Sequence, residues 1–151
     1  MTRWLFHWML RLSYSSELGA ATAYDGHAKS LRKRSDEEAN LVAQVRDDEL
    51  EHRAQLLLMM QQRGLKRFLP FEVFFLCLGT SVSLGCKFWG AWASAFGASL
   101  FEVNGVLEFN RLAHLARKLG EDELVAHFEK MAEQEDVHRV LFRKLARGEL
   151  S

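Results

Sequence analysis

The chain has 151 residues, which is enough for a single domain with a hydrophobic core. Its 20 basic residues balance its 20 acidic residues, so no basic surface indicates nucleic acid as a partner. The hydrophobic content of 48% is ordinary for a folded protein, and strand-like alternation is scarce. We therefore predict an all-α fold in which residues 1–151 form one domain.

The first twelve residues mix polar side chains with aromatic ones and lack the small-residue cleavage site of a secretory signal. This pattern suits an amphipathic lead-in that either packs on the protein as a strap or touches a membrane surface. Ser35 and Glu38 form the capping pattern that begins a helix, and glycines follow the ends of the later helices. The predicted helices cover about 11–34, 36–63, 91–119 and 121–147.

An apolar segment over about 68–101 separates the second and third predicted helices. Its only charged residues are Glu72 and Lys87, and glycines interrupt its many aromatic residues. Each apolar run is shorter or more broken than the roughly 20 residues of a spanning helix. A crossover buried in the core is one interpretation; we favour a helical hairpin that lies in the lipid interface. A homo-oligomer that buries the same surface is a third.

Two short motifs repeat along the chain, each with a glutamate and a histidine three residues apart on one helix face. A further glutamate lies 32 residues before the first motif and 33 residues before the second. Four carboxylates and two imidazoles in near-equal halves are typical of a carboxylate-bridged pair of iron ions, or manganese ions, in a four-helix bundle. The predicted metal ligands are Glu17, Glu49, His52, Glu102, Glu135 and His138.

Charge balance supports this prediction, because four glutamates neutralise two divalent cations inside a low-dielectric bundle. Without metal, the clustered carboxylates should repel one another and partly protonate, so metal binding should release protons. We assign Glu49 and Glu135 as the bridging ligands. The other ligands then divide between the two ions, Glu17 with His52 and Glu102 with His138.

Tyr24 is the candidate catalytic residue, since it lies seven residues after Glu17 and therefore on the same helix face. It either lines the pocket and relays protons or electrons, or is a packed tyrosine hydrogen-bonded near the site. Glu108 lies about 120° around its helix from Glu102, so we do not expect it to bind metal. The other acids, Asp47, Asp48, Glu51, Glu129 and Glu133, are expected on solvated faces, and His7, His27, His114 and His127 at the surface or core edge.

The segment from Ser16 to His27, SELGAATAYDGH, resembles the first-helix motif of the demethoxyubiquinone hydroxylase family, which reads roughly GExGAxxxYxGQ. Later features follow in the family's order over nearly the whole chain: an ExxH motif, a glycine-interrupted apolar hairpin, a ligand glutamate followed by Asn110, and a final ExxH. The chain departs from the family at Ser16, at His27, and at Leu107 and Glu108, which replace a histidine pair.

The resemblance implies a ferritin-like four-helix bundle with an apolar hairpin between helices two and three. It implies two iron ions and the O₂-dependent hydroxylation of a membrane-soluble quinone such as demethoxyubiquinone. The expected location is peripheral, on the cytoplasmic side of the inner or plasma membrane, and otherwise cytoplasmic. Two alternatives stay open: a ferritin- or rubrerythrin-like protein that oxidises iron or removes peroxide, and a docking module that has lost its activity.

Overall fold

The computed structural model describes residues 1–150, which form four α-helices and no strand. Helix α1 packs against α2 and α3, and α3 packs against α4, whereas the backbones of α2 and α4 approach each other at few points and meet mainly through side chains. This all-helical arrangement is compatible with a four-helix bundle. The helices are α1 (Thr2–Leu31), α2 (Asp36–Gln62), α3 (Leu69–Leu119) and α4 (Asp122–Arg147).

Helix α1 begins at Thr2, well before the predicted start near residue 11. The N-terminal residues are a packed part of this helix, because Phe6 and Leu10 are fully buried in the core. The Phe6 ring meets the Phe128 ring of α4 edge-on at 6.1 Å. Aromatic packing against α4 therefore stabilises the helical form of residues 2–10, where the sequence contains no capping pattern.

The predicted boundaries of α2 and α4 agree closely with the structure. The Ser35 hydroxyl accepts a hydrogen bond from the Glu38 backbone N–H at 3.2 Å, which caps the start of α2. Gly120 and Gly148 adopt left-handed backbone conformations after α3 and α4. These local signals define the helix ends without help from the rest of the fold.

Helix α3 is broken at Gly90, where φ is 75° and ψ is 167°, a conformation that glycine alone adopts readily. We call residues 69–89 the first arm and residues 91–119 the second arm. The first arm runs parallel to α1, because Gly19 contacts Gly79 and Gly26 contacts Ser83. The second arm runs in the opposite direction, and the two arms form a helical hairpin.

The first arm lies unusually close to α1. A Cβ atom placed on Gly79 would be 2.9 Å from the Gly19 Cα, and one placed on Gly26 would be 2.6 Å from the Ser83 Cα. A salt bridge of 2.7 Å from Arg53 of α2 to the buried Glu72 holds the start of this arm in place. Small residues and one buried ion pair therefore fix the hairpin on the bundle.

Replacing Gly26 by alanine should destabilise the protein by about 1–3 kcal/mol, because the new methyl group would collide with the Ser83 backbone. Gly97→Ala is the matched control: nothing lies within 4 Å of its Cβ position, so better helix propensity should stabilise by about 0.5–1 kcal/mol. Urea unfolding followed by circular dichroism measures both changes. Equal stability of the two variants would contradict the close packing of α1 on the first arm.

The outer face of the hairpin is apolar and exposed. Within the described residues, α3 is the one helix long and apolar enough to cross a membrane by length and composition, and only 17% of its most apolar stretch is buried. Such a surface fits membrane association and is also compatible with a soluble protein. We call the following exposed residues the hairpin surface: Val73, Phe74, Leu84, Phe88, Trp89, Trp92, Phe96 and Leu100.

The two cysteines lie on the first arm and differ in their surroundings. Both are free thiols, but Cys77 is exposed whereas Cys86 is buried. Burial raises the pKa of the Cys86 thiol. The two thiols therefore meet different environments although both lie in an apolar stretch of the sequence.

Candidate metal centre

The six predicted ligand side chains converge inside the bundle. They form two groups in which one ligand atom from each residue lies within 4.8 Å of every other. Glu49 and Glu135 belong to both groups, Glu17 and His52 to the first, and Glu102 and His138 to the second. All six residues are buried. This geometry could hold two neighbouring metal ions that share two carboxylates.

Both histidines direct Nδ1 towards the centre of this cluster. His52 Nδ1 lies 3.1 Å from a Glu135 carboxylate oxygen and 3.6 Å from one of Glu49. His138 Nδ1 lies 3.1 Å from a Glu49 oxygen and 3.8 Å from one of Glu102. The three-residue spacing on α2 and on α4 places each histidine on the same face as its glutamate.

The opposite nitrogens of the two rings bind to neighbouring side chains. His52 Nε2 lies 3.2 Å from the Gln134 side-chain oxygen, and His138 Nε2 lies 3.1 Å from Asp48 Oδ2. Such outer partners fix ring orientation and leave the inner nitrogen free to bind metal. The prediction that Asp48 lies on a solvated face is therefore wrong: it is half-buried and contacts the ring of a predicted ligand histidine.

The inner atoms of the cluster lack satisfactory hydrogen bonds. Four buried atoms make no hydrogen bond of good geometry, although each histidine nitrogen lies 3.1 Å from a carboxylate oxygen. They are Glu49 Oε1, His52 Nδ1, Glu135 Oε1 and His138 Nδ1. Unpaired buried polar atoms are rare in folded proteins because they cost free energy. Four of them facing one point, with only oxygen and nitrogen donors, suit divalent first-row metals.

The pKa values show how the metal-free cluster shares its protons. Burial, reinforced by the Glu49 charge, raises the pKa values of Glu17 and Glu102 well above the usual range. Burial acts in the same direction on Glu49, but the neighbouring histidines outweigh it and hold the pKa of Glu49 below its usual range. Burial lowers the pKa of His52, yet Glu135 and Glu49 overcome this effect and raise it to about 10.

Gly105 on the second arm makes room for one of the shared carboxylates. A Cβ atom at this position would lie 2.8 Å from the Glu135 Cδ, so any side chain would displace the carboxylate. Because Gly105 has no side chain, no additional carboxylate lies at this point of the site. The cluster is therefore limited to the six predicted ligands and is open on one side.

That open side is a cavity of about 290 Å³ between α1 and the two arms of α3. Carboxylates of the cluster form its floor, while Phe75, Leu78, Val82 and Phe101 contribute apolar walls. Tyr24 lines the cavity, and its hydroxyl donates a hydrogen bond to Glu102. Burial and the Glu102 charge raise the pKa of Tyr24, so the phenol keeps its proton.

The structure adds to the prediction for Glu108 and changes the prediction for His27. Glu108 stands apart from the two ligand groups, lines the cavity and accepts a hydrogen bond from Ser13. His27 is fully buried rather than at the surface or core edge, and its ring stacks on Phe142 at 6.0 Å. Helical spacing from Tyr24 was the available signal for His27, since three residues place both on one face.

No protein-family model, curated protein or solved structure matches this chain. Function must therefore be inferred from the chemistry of the site itself.

Proposed function

We propose that this protein is a ferritin-like di-iron enzyme that uses O₂ to hydroxylate a membrane-soluble quinone such as demethoxyubiquinone. The observation that carries the proposal is the position of the two ligand groups, which share Glu49 and Glu135 beneath an apolar cavity. Manganese has similar ligand preferences, and the redox requirement of O₂ chemistry favours iron.

The reaction adds one oxygen atom of O₂ to a ring carbon and releases the other as water, using two electrons and two protons from an external reductant. A bound di-iron pair would supply the electron transfer to O₂. Four glutamates and two histidines would hold the ions, and Asp48 and Gln134 would orient the histidines. Tyr24 holds a proton beside Glu102 at the cavity wall.

The apolar cavity walls support a hydrophobic substrate. Leu78 and Val82 come from the first arm and Phe101 from the second, so the cavity lies between the arms whose outer face forms the hairpin surface. A lipid-soluble ring could pass from a bilayer into this cavity without crossing water. We accordingly propose a peripheral location on the cytoplasmic side of the inner or plasma membrane.

Turnover with isotopically labelled O₂ tests this function. Protein reconstituted with ferrous iron receives a chemical reductant and a demethoxyubiquinone with a short tail, and mass spectrometry follows the quinone. We expect a product that has gained one labelled oxygen atom, and no product from the Glu49→Gln variant. Iron oxidation or peroxide removal without any quinone product, in a soluble multimer, would instead support the ferritin- or rubrerythrin-like alternative.

Replacing Phe74, Phe88, Trp89 and Trp92 by alanine should lower the fraction of protein that floats with anionic phospholipid vesicles. We expect a fall of more than about 10-fold, because each interfacial aromatic side chain contributes on the order of 1 kcal/mol. The four residues are exposed on the hairpin surface. Leu58→Ala with Val137→Ala is the control, since both residues are exposed but lie on α2 and α4. Unchanged flotation of the fourfold variant would remove membrane attachment from the proposal.

A further inference from the structure

A second cavity, of about 180 Å³, lies between α1 and the turn of the hairpin. It shares Ala23, Tyr24, Val82 and Phe101 with the cavity above the ligand groups. The two cavities are therefore neighbours, separated by side chains that line both. The proposed mechanism assigns no role to this second space.

Two polar side chains line the second cavity without hydrogen-bond partners. His27 is 2% exposed and Ser94 is 6% exposed, and neither His27 Nε2 nor Ser94 Oγ has a partner within residues 1–150. The Cys86 thiol lies close to Ser94, but a thiol is a weak partner. Leaving such groups unpaired costs folding free energy, so their presence beside a cavity indicates a ligand.

The surroundings define the chemistry of that ligand. No Asp, Glu, Lys or Arg lines the cavity, and burial lowers the pKa of His27 to about 4, so its imidazole is neutral near pH 7. A neutral imidazole and a hydroxyl can each donate or accept a hydrogen bond. The remaining lining is mostly alanine, valine and aromatic carbon. This combination selects an uncharged, apolar molecule that carries a carbonyl or hydroxyl oxygen.

We propose that His27 and Ser94 form a binding subsite for an oxygen atom of an apolar ring compound of the ketone, quinone or phenol class. The ring would lie beside Tyr24, which separates this subsite from the ligand groups. His27 and Ser94 are positioning residues, since they hold the ring from the side opposite the metal ligands. The identification of the ring with the substrate rests on the proposed function, whereas the binding itself does not.

Binding of two matched probes to the full-length protein tests the subsite. The probes are 2,3-dimethyl-1,4-naphthoquinone and 2,3-dimethylnaphthalene, which share one carbon skeleton; the quinone carries carbonyl groups at the two positions where the hydrocarbon carries C–H groups. The methyl groups block addition of thiols. The variants are His27→Phe, which retains a ring against Phe142, and Ser94→Ala. Ser99→Ala is the matched control, because Ser99 is a buried serine of the same arm whose hydroxyl binds the Phe96 carbonyl. Equilibrium dialysis gives the affinities, and thermal unfolding shows that each variant folds.

We expect each of the two variants to bind the quinone about 2- to 10-fold more weakly, as loss of one hydrogen bond predicts. Binding of the hydrocarbon should not change, and Ser99→Ala should behave as the original protein. Equal affinity of Ser94→Ala and the original protein for the quinone would overturn the subsite and indicate that water satisfies both side chains.

The subsite and the proposed function can fail separately. Selective binding that depends on His27 and Ser94, without any hydroxylated product, would retain the subsite and reject the enzyme function. Hydroxylation with unchanged kinetics and quinone affinity in both variants would retain the enzyme function and reject the subsite. A raised KM with unaltered kcat in Ser94→Ala is the expected kinetic result, because the serine binds the ring without touching the reacting atoms.

Discussion

Replacing Glu49 by glutamine should abolish the binding of both metal ions, whereas Glu17→Gln should remove only one. The difference follows from the geometry, since Glu49 belongs to both ligand groups and Glu17 to one. Glutamine retains the shape of the side chain but loses the charge that balances the cations. We expect affinity to fall by more than about 100-fold at each affected ion, which exceeds the usual effect of losing an outer-shell partner.

Elemental analysis of protein reconstituted with ferrous iron and then dialysed gives the number of ions per chain. Glu133→Gln is the matched control, because Glu133 is an exposed glutamate of α4 that lies two residues from Glu135. If the Glu49→Gln variant retains two ions, the shared-carboxylate geometry is not the metal site. If the original protein binds no metal, the docking-module alternative gains support.

The metal-free protein should lose stability as the pH rises from about 6.5 to about 10. His52 has a pKa of about 10 in the folded state against 6.5 in an unfolded chain, so the folded protein binds the extra proton. This contribution is complete below pH 6.5 and disappears as the pH passes 10; it amounts to at most about 5 kcal/mol. The raised pKa values of Glu17, Glu102 and His138 act in the same direction.

Metal loading should reverse this dependence on pH. Metal binding requires deprotonated imidazoles and carboxylates, so the ions replace the protons and bind more tightly as the pH rises. Urea unfolding at a series of pH values, with and without ferrous iron under anaerobic conditions, measures both curves. A metal-free His52→Gln variant should show a much smaller decline. Rising stability of the metal-free protein over this pH range would contradict the proton sharing inferred for the cluster.

Much of the site could be predicted because the spacing of its residues along single helices places them on one helix face. The ExxH motifs place Glu135 and His138 on one helix face whatever the rest of the fold does, and the capping pattern at Ser35 defines the start of α2. The division of ligands into two groups followed from the repeat. The second arm of α3 begins after Gly90, where the third helix was predicted to begin.

The remaining features depend on contacts between distant segments. Asp48 is one residue from Glu49 but meets His138 only because α4 approaches α2 at this level. The buried state of His27 depends on Phe142, which lies 115 residues further along the chain. The first arm packs along α1 because Gly19 contacts Gly79 closely. These two glycines lie far apart in the sequence, so no helical periodicity predicts their contact. Such pairings are set by tertiary packing rather than by local pattern.

The backbones of α2 and α4 approach each other at few points, yet these helices supply four of the six predicted ligands. Apolar side chains of both helices belong to the same core clusters, and polar contacts such as His52 with Gln134 and His138 with Asp48 join the two helices directly. A bound pair of cations would therefore add a direct link between α2 and α4, whose backbones do not pack closely on each other. In such a protein the cofactor would also be a structural tie.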